Sequence, residues 1–239
     1  MTRPRLLLVC EFTELQWAIK PLLEEWADVL SYDLPGVGDE PPPDELTPRV
    51  AVQQALTKLD RSGWERYFLV ADGWGVGTAV LVAAERSRSV AGMALGHASL
   101  SYRHTGERAP INPDVYHAFT QLIRQDAPSF VRYGISQLTK GAVDERLAAQ
   151  IMERVPPELL AEGWFTITAE WDFSEQLREL DCPLLLAKHD DCLLSTDEGF
   201  DDAVAALPGA DVASFDEPPA ASEEFAQLLR QFCERHWSR

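Results

Sequence analysis

The chain has 239 residues, 46% of them hydrophobic and 25% charged, and its 39 acids against 21 bases give a formal net charge of −18. A domain of this length buries on the order of 70% of the surface its unfolded chain exposes, so it supports a core without disulfides, and disorder is excluded. A pI near 4.6 repels phosphates and anionic lipid, which argues against nucleic-acid or membrane-surface partners.

Short apolar runs alternate with longer helical patterns, as in βα units feeding a parallel sheet. Leu6 to Cys10 reads as the first strand, Ala18 to Trp26 as a helix and Val29 to Tyr32 as the second strand; a loop rich in proline and glycine follows from Pro35 to Pro48. Val50 to Leu59 reads as a helix, Tyr67 to Ala71 as a strand, Gly77 to Glu85 as a helix and Val90 to Leu95 as the fourth strand. From Ser101 to Trp171 only helical patterns occur: Val115 to Arg124, Ser129 to Leu138, Asp144 to Arg154 and Pro157 to Thr168. Strand rhythm resumes at Pro183 to Ala187, followed by a helix over Asp201 to Leu207, a strand over Val212 to Phe215 and a terminal amphipathic helix from Ser222 to Trp237. Residues 1–100 and 172–239 are thus expected to form an α/β core, and 101–171 a helical lid over the carboxyl ends of the strands.

Cys10, Cys182, Cys192 and Cys233 contain no C-x-x-C pair and sit beside apolar runs, as isolated thiols of a reducing compartment do. The N-terminus lacks the apolar length of a signal peptide and no stretch reaches a membrane span, so a cytoplasmic protein is expected.

The segment Leu69-Val-Ala-Asp-Gly-Trp-Gly-Val-Gly77 reads as strand, tight glycine turn and helix, which exposes one residue near the amides that open the helix. With Tyr32-Asp-Leu-Pro-Gly-Val-Gly38 and Pro183-Leu-Leu-Leu-Ala-Lys-His-Asp-Asp191, this segment resembles the α/β-hydrolase family over nearly the whole length. The three segments look like the family's nucleophile elbow, its D-x-x-G-x-G loop and its acid-bearing strand. The resemblance implies an α/β-hydrolase fold: a mostly parallel sheet of about six strands flanked by helices, with a helical lid insertion. Asp33, Gly36 and Gly38 would be turn residues of the loop beside the pocket.

The catalytic positions depart from that pattern. Laying G-x-S-x-G on Ala71-Asp72-Gly73-Trp74-Gly75 puts Gly73, which has no side chain, at the nucleophile position. Asp72 is read either as a nucleophile shifted by one residue or as a carboxylate bonded to backbone. Asp191, beside Asp190, matches the triad acid, but Phe215-Asp-Glu-Pro-Pro-Ala-Ala-Ser222 holds no histidine for it to orient. Cys10-Glu11-Phe12 stands where the family shows histidine-glycine, putting a carboxylate where an oxyanion would sit.

His97, in Leu95-Gly-His-Ala-Ser-Leu-Ser101, is the candidate relocated acid or base, read alternatively as a hydrogen-bonded residue at the root of the lid. The catalytic candidates are therefore Asp191, Asp72 and His97. The expected ligand pocket comprises Cys10, Glu11, Phe12, Gly73, Trp74, Ser99 and Trp164, with Cys10 at its floor as an unreactive thiol. A metal set of His189, Asp190 and Asp191 with Glu11 and Asp72 fits no ligand spacing, so no metal and no cofactor are expected. These departures from the family pattern imply a fold kept and ordinary hydrolysis lost, with a small neutral, cationic or apolar molecule, or a protein partner in a homo- or hetero-oligomer, bound instead. The alternative is an atypical hydrolase, lyase or cyclase using Asp72, His97 and Asp191.

Overall fold

The structure, a computed structural model, describes residues 3–138, 142–168 and 170–237. Six strands form one sheet: β1 (Arg5–Val9), β2 (Asp28–Leu30), β3 (Tyr67–Asp72), β4 (Val90–Gly96), β5 (Leu184–His189) and β6 (Asp211–Phe215). Their order is β2-β1-β3-β4-β5-β6, and every neighbouring pair is parallel. A parallel sheet needs a crossover between successive strands, and helices supply them. These are α1 (Lys20–Glu24), α2 (Pro48–Ser62), α3 (Gly75–Glu85), a helical insertion between β4 and β5, and α8 (Asp197–Ala206), with α9 (Glu223–Trp237) closing the chain. The insertion holds α4 (Pro113–Leu138), α5 (Glu145–Arg154), α6 (Pro157–Thr168) and α7 (Ser174–Arg178).

Side-chain alternation in the strands sorts the core into two layers. Leu7, Val9, Leu69 and Leu186 face α2 and α3, whose buried faces include Val52, Leu56, Val76 and Val80. Leu6, Leu8, Phe68 and Leu185 face the opposite side, covered by Leu23 of α1 and by Phe225, Leu229 and Phe232 of α9. Both faces being buried, the central strands read as unbroken apolar runs rather than as alternating ones.

The strand order reverses at β1, which connects to β2 on one side while β3 lies on the other. Ligands of open parallel sheets bind at such a switch point, outside the carboxyl ends of the strands. Here those ends carry Glu11 after β1, Asp72 and Gly73 at β3, His97 after β4 and His189 at β5. The insertion is anchored beside this edge: Arg154, ending α5, pairs with buried Asp33, which also accepts from Thr13 Oγ1 at 2.8 Å and the Glu14 amide at 3.0 Å. Gly36 and Gly38 take φ of +85° and +59° in the same loop, as its sequence of turn residues suggests.

Candidate functional site

The turn from β3 into α3 is tight and carries glycine at its apex, the position of the expected nucleophile. Gly73 stands at its apex with φ +53°, a left-handed backbone that glycine adopts without strain. At Gly75 a Cβ would come within 2.6 Å of the Val9 carbonyl, so the helix can approach β1 only because that position is glycine. Below the turn, the Tyr102 hydroxyl accepts from the Gly77 amide and donates to the Trp74 carbonyl, and its ring meets that of Trp74 edge-on at 4.9 Å.

Glu11 fills the space above the apex. A Cβ added to Gly73 would overlap Glu11 Oε1, and the same oxygen accepts from the Trp74 amide at 3.2 Å. That amide, one residue past the apex, is the donor that a working elbow turns toward an oxyanion. The amide of Glu11 is itself engaged, donating to Gln16 Oε1 at 2.7 Å. Burial, and then the charge of Asp72, pushes the Glu11 carboxyl up to about 8, so at neutral pH it is a neutral acid.

Asp72, only 6% exposed, points back toward β4. Its Oδ1 lies 2.7 Å from Nδ1 of His97, and its Oδ2 accepts from the Ala220 amide at 3.2 Å. Ala220 belongs to the loop after β6, where the family would place its histidine; here that loop contributes a backbone donor. His97 continues the chain of contacts: its Nε2 is 2.6 Å from Nδ1 of His189, and the Cys192 sulfur lies within 4.8 Å of both rings' donor atoms. The backbone of His97 sits at φ +51°, a left-handed conformation costing a non-glycine residue roughly 1–2 kcal/mol, and its amide donates to the Ala187 carbonyl at 2.7 Å.

The electrostatics form one coupled set. Burial opposes charge on both members of the Asp72–His97 pair, but their mutual attraction outweighs it, holding Asp72 below the usual carboxylate range and His97 well above the usual imidazole range. Burial and the charge of His97 push His189 down to about 4, leaving it a neutral acceptor. For Cys192 burial raises the thiol, yet the proximity of His97 dominates and brings it to about 7. The Ser195 amide also donates to its sulfur at 3.4 Å.

These groups open onto a cavity of about 180 Å³ whose other walls include Tyr102, Ile111, Phe119 and Tyr133. Glu11 and Asp72 separate it from a second cavity of about 200 Å³ lined by Phe12, Phe130 and Ile135. Of the residues expected from sequence, Glu11, Asp72, Gly73, Trp74, His97 and Ser99 line the first cavity and Phe12 the second. Trp164 lies outside the residues whose side chains are described. Two expectations need correction. Cys10 is buried in the core beneath the sheet edge and lines neither cavity, because as the residue after Val9 it packs among the strands before the loop turns outward. Asp191, the expected triad acid, is exposed, as is Asp190: the chain turns sharply at these two residues, which sends both carboxylates to solvent and returns Cys192 to the cavity. His189 and Cys192 are thus the site residues that sequence reasoning did not assign; their His-x-x-Cys spacing after an apolar strand is the signal that was available.

Acidity at the site is correspondingly less than the residue count suggests. Asp190 and Asp191 lie outside the cavity, Glu11 is neutral at pH 7, and Asp72 is matched by His97.

No protein-family model matches the chain, and no curated protein matches its sequence. Solved structures do match in shape. A bromoperoxidase from Bacillus anthracis superposes with a TM-score of 0.82 at 14% identity, over 98% of this chain and 92% of that one. An enol-lactonase from Burkholderia xenovorans LB400 gives 0.75 at 18% identity, over 100% and 93% of the two chains. A thermophilic esterase from Thermogutta terrifontis, with malate bound, gives 0.77 at 19% identity over 98% and 91%. With the six-stranded parallel sheet and the glycine elbow at its switch point, this likeness establishes that the chain has the α/β-hydrolase fold.

Proposed function

We propose that the chain is a non-hydrolytic protein of this fold that binds one small, neutral, largely apolar molecule in the cavity beneath its helical insertion. The observation that carries this reading is Glu11. Its carboxyl takes both the volume a serine at position 73 would need and the Trp74 amide an oxyanion would need. Attack on an ester therefore lacks a nucleophile and one oxyanion donor at once. The remaining cavity, about 180 Å³ and walled mainly by aromatic and aliphatic side chains, is smaller than the roughly 300–1,000 Å³ of drug-sized pockets. Its matched charges favour a ligand without net charge, with one polar end toward His97 and Cys192.

A second reading, an atypical enzyme, is favoured by one feature: Asp72 and His97 form a buried acid–base pair facing the cavity. Two measurements on purified protein separate the readings. Short-chain p-nitrophenyl esters should not turn over above background, and Gly73→Ser alone should not change that, because the new side chain meets Glu11. A neutral probe such as benzyl alcohol should raise Tm more than benzoate does. Ester turnover by the wild type that His97→Ala abolishes would overturn the proposal in favour of the second reading.

A further inference from the structure

We infer that His97, His189 and Cys192 form a zinc site at the carboxyl edge of the sheet, with Nε2 of His97, Nδ1 of His189 and Sγ of Cys192 as ligands and the fourth position open to the cavity. The three donor atoms lie within 4.8 Å of one another, and they come from the ends of two adjacent strands and the turn that follows. Zinc bonds of about 2.0–2.1 Å to nitrogen and 2.3 Å to sulfur place tetrahedral ligands roughly 3.3–3.6 Å apart. The two imidazole nitrogens, now 2.6 Å apart, would open slightly and the sulfur would close in, movements within reach of side-chain rotation.

What stands between the two rings is a single proton, donated by His97 Nε2 to the lone pair of His189 Nδ1. A cation placed there does the same work for three ligands. Binding would break the N–H bond of His97 and the S–H bond of Cys192, form three metal–ligand bonds and release two protons to solvent.

The surrounding contacts are those that orient metal ligands. Asp72 Oδ1 holds the other ring nitrogen of His97 at 2.7 Å, which fixes the tautomer and directs Nε2 outward, and Asp72 is in turn held by the Ala220 amide. The Ser195 amide donates to the sulfur and so supports a thiolate. Two imidazoles and a thiolate suit a borderline-soft ion such as zinc and not the all-oxygen preference of magnesium or calcium. Charge closes as well: a divalent ion, one thiolate and the Asp72 carboxylate sum to zero in a site where an unbalanced charge would be costly. Access exists from outside, since a smaller cavity of about 60 Å³ reaches the same three residues past exposed Asp190 and Asp197.

This goes beyond the ligand-binding reading, and its test needs no organic ligand, so either can fail alone. The full chain, stripped with a chelator, is titrated with zinc by calorimetry and with cobalt(II) by absorption. One equivalent of zinc should bind, and cobalt should show a near-ultraviolet thiolate charge-transfer band. Cys192→Ser should remove that band, His189→Ala should weaken zinc at least tenfold, and Asp72→Asn should weaken it roughly 10–100-fold through the orientation of His97. Cys182→Ser, outside the cluster, should change nothing. Because a cluster variant can lose its fold, the wild type supplies a second readout: zinc should slow iodoacetamide labelling of Cys192, mapped by mass spectrometry. No stoichiometric binding, a band that survives Cys192→Ser, or labelling of Cys192 indifferent to zinc would each overturn the assignment.

Discussion

Glu11 sits at the centre of the site, and its protonation is tied to the stability of the whole fold. Burial and the Asp72 charge raise its carboxyl from 4.5 in a solvated chain to about 8. For an acid whose folded value is raised, the folded state holds the proton more tightly, so the stabilisation is complete below about 4.5 and disappears as pH rises through about 8. Glu11→Gln keeps the oxygen that accepts from the Trp74 amide but cannot ionise. The variant should therefore gain on the wild type between pH 5 and pH 9, by an amount on the order of 3–5 kcal/mol at full effect. Paired thermal melts across that range check it, since other groups titrate alike in both proteins; a pH-independent difference would show that Glu11 ionises normally. Gly73 and Glu11 were legible in the sequence because each departs from a motif position whose chemistry is fixed. Cys192 was not, because the same motif directs attention to Asp191 next to it. Which of two adjacent residues faces a cavity depends on where β5 stops and how the following turn is wound, and neither is written in composition or spacing.

Chemical caps mark some element ends in the sequence but not all: α8, capped by Thr196, begins at Asp197 and not at Asp201. Thr47 and Pro48 open α2, Gly63 in a left-handed conformation ends it, and Ser222 caps α9 by accepting from the Phe225 amide at 3.1 Å. The two helices expected over Val115 to Arg124 and Ser129 to Leu138 correspond to the two halves of α4, which is broken at Asp126, two residues before Pro128. By contrast α7, with five residues, and the single turn Glu14–Gln16 are too short to carry a periodic signal and exist because tertiary contacts hold them. Ser222 gives this scale its test. The cap is 3% exposed, and α9 packs Phe225, Leu229 and Phe232 onto the face of the sheet that it shares with α1, so fraying its first turn loosens contacts that the helix makes with β3, β4 and β6. Ser222→Ala should cost about 1 kcal/mol and lower Tm by roughly 2–4 °C in a chain of this size. An unchanged Tm would mean that packing alone fixes the start of α9.

Across the whole molecule the −18 charge resides on the surface and not in the cavity. Many of the bases already stand in exposed pairs such as Arg49–Glu85, Arg86–Asp60, Arg108–Asp202 and Arg132–Glu145. Such pairs contribute about 0–1 kcal/mol each, and salt weakens them, which by itself would destabilise the fold as ionic strength rises. The excess of acids acts in the opposite direction, because like charges distributed over a compact surface repel one another and screening relieves that repulsion. With 39 acids to 21 bases the second effect should dominate at neutral pH. Raising sodium chloride from about 20 mM to about 300 mM shortens the screening length severalfold and should raise Tm. Near pH 4.6, where the net charge vanishes, only the pairs remain to be screened, and the same addition should leave Tm unchanged or lower it. A rise of equal size at both pH values would trace the effect to salt exclusion from the protein surface, and a fall at neutral pH would mean that the ion pairs outweigh the repulsion.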